Sequence, residues 1–190
     1  MGHLNSHRHA GFSLIELTAA LTISSVLLAV AVPGYRNFVL SSQRTAVANA
    51  LLGAMYVARS EALKRGQTVI VCASTDGASC STRADDWSKG WLTFVNMTGS
   101  ISPCVVETTA NPADIVLKYA ANDYADFAIR SNRDCYAFRP FNIHLASGSI
   151  TICDPRAVAD ASQARAVIVS AVGRPRISSK SASNDPLSCS

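Results

Sequence analysis

Residues 11–33 read GFSLIELTAALTISSVLLAVAVP, an apolar run holding a single charge, and no other stretch restricts the fold so strongly. A helix of this length crosses the hydrocarbon core of a bilayer. The charge is Glu16. Left unpaired at mid-bilayer it costs about 3 kcal/mol, so a carboxylate here implies a partner. A secretory signal places its small-residue cleavage site after the apolar core. In this chain the small residue, Gly11, stands before the core. A cut at Gly11–Phe12 therefore removes only a leader, residues 1–11, and keeps the helix. The leader carries His3, His7, Arg8 and His9 and is expected to stay cytoplasmic.

The helical pattern continues past the apolar run. Pro33 and Gly34 each weaken a helix interior, and because the pattern resumes they predict a kink and not a stop. Val47, Leu51, Ala54, Met55, Ala58 and Ala62 recur at three- and four-residue spacings and form one apolar stripe. Arg36, Arg44, Arg59, Lys64 and Arg65 fall mostly off it. They read as a solvated face with cations near the helix C-terminus; a track for DNA is the other reading. Gly66 suits the C′ cap position. One helix is thus predicted from near Phe12 to Arg65. Its first part, 12–33, is the membrane segment, and its second part, 34–66, packs on a globular head.

After Gly66 the pattern becomes β. Residues 68–72 are β-branched and lead to turn chemistry at Asp76-Gly77. Residues 87–95 read as a turn feeding a strand, and 97–112 as a loop containing Cys104. Weaker strand candidates are 115–119, 127–130 and 136–144. Stronger ones are 149–153 and 166–170, with 173–177 as a last short strand or turn. Residues 178–190 are polar and form a flexible tail unless Cys189 pins them. The expected class is α+β, a long N-terminal helix on a β-rich head, 67–190, of antiparallel sheets.

Six cysteines, Cys72, Cys80, Cys104, Cys135, Cys153 and Cys189, all follow the apolar run. An even number on one side of a membrane segment fits disulfides in an oxidising compartment. The competing reading is buried thiols or a metal site, but no Cys-x-x-Cys pair exists and the spacings do not suit zinc. Six cysteines allow 15 pairings, so spacing alone leaves connectivity open. The pairing favoured here joins Cys72 to Cys80 across a turn and Cys153 to Cys189 at the tail, leaving Cys104 with Cys135. No metal ligand set and no cofactor are expected.

The residues Gly11-Phe12-Ser13-Leu14-Ile15-Glu16-Leu17 resemble the start of type IV pilins and pseudopilins. The resemblance implies cleavage after Gly11 by a prepilin peptidase and N-methylation of Phe12. It also implies an assembly role for Glu16, as partner of the Phe12 α-amino group on a neighbouring subunit, where pairing offsets part of the desolvation of both charges. Further on, Glu61-Ala62-Leu63-Lys64-Arg65-Gly66, Cys72, Asp76-Gly77, Cys80 and Trp87-Ser88-Lys89-Gly90-Trp91 are similar to the FimT/FimU type of minor pilin. So are residues 148–156 and 167–176. The H-type pseudopilin of type II secretion is related. The implied fold is a long N-terminal helix with a head of two small sheets. The implied partners are other major and minor pilins. The implied location is the inner membrane with a periplasmic head, then the pilus.

The functional question narrows to Gly173-Arg174-Pro175-Arg176, which resembles the Gly-Arg-x-Arg motif of DNA-binding members of the FimT type that act in natural transformation. Two arginines at i and i+2 in extended backbone share a side, and guanidinium forks suit phosphate oxygens. Gly173 permits unusual backbone angles and Pro175 stiffens the presentation. Arg165 and Lys180 flank the pair. Between residues 161 and 184 there are four basic residues and no acidic one, although the net charge of the chain is only +4. No base-reading element is evident, so the expected ligand is the phosphate backbone of double-stranded DNA, bound without sequence preference. The alternatives are a FimU-like minor pilin that primes assembly at the pilus tip and a type II secretion pseudopilin.

No enzyme is expected. Three of the four histidines lie in the leader, leaving His144 alone, and catalytic residues are therefore none. No phosphate-cradling glycine loop suggests an ATPase.

Overall fold

The computed structural model describes residues 12–81, 83, 86–97, 104, 115–121, 127–140, 147–154 and 163–189. The chain divides into two compact units, Met1–Leu40 and Ser41–Ser190. One helix, α1 (Leu14–Arg65), runs through both. It begins on a cap: the Glu16 N–H donates to Ser13 Oγ at 3.2 Å, satisfying one of the amides that a helix start leaves without a partner.

In the first unit the helix surface is apolar and exposed, from Phe12 and Leu14 through Leu27 and Val30. An 18-residue stretch of α1 has a mean hydropathy of 2.1, and the helix is long and apolar enough to cross a membrane. Three hydroxyls along it bond back to the helix. Thr18 donates to the Ile15 carbonyl, Thr22 to Ala19 and Ser25 to Thr22. Polar groups bonded to their own helix can enter hydrocarbon at low cost. The helix continues through Pro33, which does not stop it, as expected.

In the second unit, Val47, Ala48, Leu51, Ala54, Met55, Ala58 and Ala62 are buried. This is the stripe that the periodicity requires, and each large member contributes about 1.5–3 kcal/mol on burial. Arg44 departs from the solvated-face expectation. It is 4% exposed, its Nη1 lies 3.1 Å from Asp154 Oδ2, and the same nitrogen donates to the Gln163 carbonyl. Arg59 is half-buried, while Lys64 and Arg65 pair with Glu61 one turn back. The helix closes on Gly66, whose φ of 65° is the left-handed cap that glycine adopts without a Cβ penalty.

The strands form two antiparallel sheets. The first has the order β3-β2-β1-β5 and the second β4-β6-β7-β8. The strands are β1 (Thr68–Ala73), β2 (Gly90–Asn96), β3 (Ile115–Ala121), β4 (Ala128–Ser131), β5 (Cys135–Phe138), β6 (Gly148–Cys153), β7 (Arg165–Val169) and β8 (Pro175–Ser178). β5 ends at Phe138, short of the 136–144 expected, and residues 141–146 lie outside the described residues, as do most of 97–112. On one face of the first sheet Ile70, Cys72, Leu92, Phe94, Cys135 and Ala137 cluster, with Cys80 and Cys104 against them. On one face of the second, Cys153, Ala164, Ala166 and Ile168 meet Leu187 and Cys189 of the tail. The pleat places Val69, Val71, Ile150, Ile152, Val167 and Val169 on the opposite faces. All six are buried and share the interior with the helix stripe.

A short helical turn (Asp86–Ser88) joins the sheets. Ser88 Oγ accepts from the Ile129 N–H at 2.8 Å and donates to its carbonyl at 3.3 Å, acting as a strand neighbour for β4. Trp87 is buried edge-on to Tyr136, with ring centroids 5.8 Å apart. Disulfides join Cys72 to Cys80, Cys104 to Cys135 and Cys153 to Cys189.

Candidate nucleic-acid interface

The candidate site is the β7–β8 hairpin. Its register pairs Ile168 with Arg176 and Val169 with Pro175. The connection closes tightly. The Gly173 N–H donates to the Ser170 carbonyl at 2.8 Å, and the Ser170 N–H donates to the Arg174 carbonyl at 3.1 Å. Gly173 has φ 67°, so a three-residue loop ends on a left-handed residue, the arrangement that lets such a loop rejoin the ladder. The Arg174 N–H is taken by Ser170 Oγ at 3.2 Å.

The long helix fixes this hairpin from below. Tyr56 Oη donates to the Pro175 carbonyl at 3.1 Å. Arg59 Nη1 donates to the Gly173 carbonyl at 3.1 Å. Residues three apart lie on one helix face, so both bonds come from the same side. The outcome is a strict alternation: Gly173 buried, Arg174 exposed, Pro175 buried, Arg176 exposed. The buried pair is held, and the two guanidinium groups are presented together.

The ion pairs among the described residues are Arg44–Asp154, Lys64–Glu61, Arg65–Glu61 and Lys89–Asp86. None of these involves Arg174, Arg176 or Lys180. Lys180 is exposed and forms a bridge with Pro186 in the tail. Arg165 sits differently. It pairs with Ile152 across β6–β7, and strand alternation puts it on the face opposite Arg176. It is half-buried, and its Nη1 donates to the Ala164 carbonyl at 2.7 Å. The fold therefore groups Arg174 and Arg176, continues to Lys180, and turns Arg165 away. It also adds Arg59 to the site. Its bond to Gly173 spans 114 residues, and no local signal in the helix marks it.

At the other end of the chain, Phe12 is exposed and Glu16 lies in the first helical turn. Gly11 and His144 lie outside the described residues. Among the described residues no group of His, Cys, Asp and Glu is arranged to hold a metal ion.

Comparison with known proteins agrees with this architecture. The family profile for type II transport protein GspH matches residues 47–173. The prokaryotic N-terminal methylation motif matches residues 6–32. Two crystal forms of the type IV minor pilin FimU of Pseudomonas aeruginosa (strain PAO1) share the fold. One has 20% sequence identity and a TM-score of 0.50 over 77% of this chain and 99% of that one. The other has 21% identity and a TM-score of 0.52 over 78% and 96%. No curated protein sequence matches significantly.

Proposed function

The chain belongs to the GspH family of pilin-like subunits found in type IV pili and type II secretion systems, and from that premise we propose that it is a minor type IV pilin that binds extracellular double-stranded DNA during uptake. Its apolar helix inserts in the inner membrane with the head in the periplasm. Prepilin peptidase cuts at Gly11–Phe12 and Phe12 is N-methylated. Glu16 then meets the Phe12 amino group of a neighbour as the subunit joins other pilins in the filament.

The observation that supports DNA as the ligand is the alternation in Gly173-Arg174-Pro175-Arg176. Two exposed arginines two residues apart stand on a backbone pinned from the helix by Tyr56 and Arg59, which offers a pair of guanidinium forks from one side. Guanidinium forks bind phosphate oxygens bidentately. Lys180 extends the positive edge, and Arg165 contributes to the field from the other face. Nothing in the hairpin reads bases, so affinity comes from phosphate contacts and carries no sequence preference.

The test is a duplex-DNA titration of the full chain in detergent, wild type against Arg174→Ala/Arg176→Ala. Both side chains are exposed, so the fold tolerates the change. The proposal expects most binding to be lost. Equal binding by the double variant removes the DNA role and leaves a subunit that contacts only other pilins.

A further inference from the structure

Beside the hairpin lies a cavity of about 60 Å³ that the motif does not account for. Its floor and walls come from three elements. Arg59 and Leu63 belong to the last turns of α1, Phe138 to the end of β5 with Arg139 and Pro140 just after it, and Val172 and Gly173 to the hairpin loop. Two of these residues are arginines from separate elements, and neither takes part in an ion pair among the described residues.

Arg59 is held in place. One of its nitrogens donates to the Gly173 carbonyl at 3.1 Å, and a guanidinium has five N–H donors in all, so several remain to face a ligand. Arg139 is exposed at the rim. The other walls are apolar, and a less polar surround strengthens a charge-assisted hydrogen bond. A water needs about 10–15 Å³ measured this way, so the space holds about four to six waters. That is room enough for a phosphate group. The cavity adjoins Gly173, the residue before Arg174.

We propose that this cavity is a further phosphate subsite, in which Arg59 and Arg139 take a phosphodiester of the same DNA whose backbone crosses Arg174 and Arg176. This rests on the DNA reading above and extends it from one strand end to a track across three elements. Arg59 has a double part: it positions the hairpin through Gly173 and supplies donors to the anion. Arg139 has only the second part, which makes it the residue to change.

The experiment measures duplex-DNA affinity of the full chain in detergent across a salt series, for wild type, Arg139→Ala, and Arg83→Ala as a control with the same loss of net charge. Each phosphate neutralised contributes about 0.9 to the slope of log K against log salt. Arg139→Ala is expected to lower that slope by about 0.9 and to weaken binding several-fold at low salt, with Arg83→Ala unchanged in slope. An Arg139→Ala slope equal to wild type, or one matched by Arg83→Ala, overturns the subsite. If that happens while Arg174→Ala/Arg176→Ala still loses binding, the hairpin reading stands and only the cavity is refuted. If the double variant binds like wild type, both fail.

Discussion

Arg59 and Gly173, 114 residues apart, are joined by a 3.1 Å hydrogen bond from guanidinium to carbonyl. That bond ties the last turns of the long helix to the loop that presents Arg174 and Arg176. The long helix is therefore also the element that sets the geometry of the basic hairpin. Elsewhere in the head the helix is tied just as firmly.

Arg44 and Asp154 form a buried ion pair, with side chains 5% and 0% exposed. Removing one member of such a pair strands the other and costs about 3–5 kcal/mol. Arg44→Met should lower head stability by that amount in chemical denaturation. The buried Trp87 and Trp91 report the unfolding by fluorescence. Arg44→Met/Asp154→Leu should recover most of the loss, since an apolar pair of similar volume avoids desolvating two charges.

The Cys153–Cys189 bond closes a separation of 36 residues, against 8 for Cys72–Cys80. The chain-entropy relation gives about 4 kcal/mol for the longer loop and about 2.5 for the shorter. Replacing both cysteines of the tail bond by alanine should therefore destabilise more than replacing both of the Cys72–Cys80 pair. It should also open the tail to protease, because Leu187 and Cys189 hold it over Ala164, Ala166 and Ile168.

Acid should lower the stability of the head. The Ser79 hydroxyl, with the amides of Ser79 and Ala78, holds the Asp76 carboxyl well below the usual carboxylate range. The Ser81 hydroxyl and Lys89 do the same for Asp86, and Arg65 for Glu61. A carboxylate with a depressed folded-state pKa contributes stability that is present above its unfolded pKa, about 4. That stability disappears as pH falls through the folded value. The melting temperature should be flat from about pH 8 to 5 and drop below about 4.

The leader junction makes its own forecast. Gly11→Leu should block cleavage, and intact-mass measurement should find the leader still attached. Mature protein beginning at Phe12 in that variant would contradict the assignment of the cut.

Much of this was legible in the residues because it is periodic or local. The stripe from Val47 to Ala62 follows helical spacing, Gly66 and Gly173 occupy positions that need left-handed backbone, and the β-branched runs became strands. The long-range polar contacts were not legible. An arginine on a helix reads as solvated, and only the folded chain brings Asp154 and Gln163 to Arg44 or Gly173 to Arg59. Arg165 illustrates the same limit in reverse: nearness in sequence to Arg174 suggested one cluster, but the register of β7 and the pleat put it on the other face.

The most direct test of the central claim is the salt dependence of duplex-DNA binding by wild type and Arg174→Ala/Arg176→Ala. If each guanidinium engages one phosphate, the double change should lower the slope of log K against log salt by about 1.8 and remove most of the affinity at low salt. A double variant whose slope and affinity both match wild type would contradict the account.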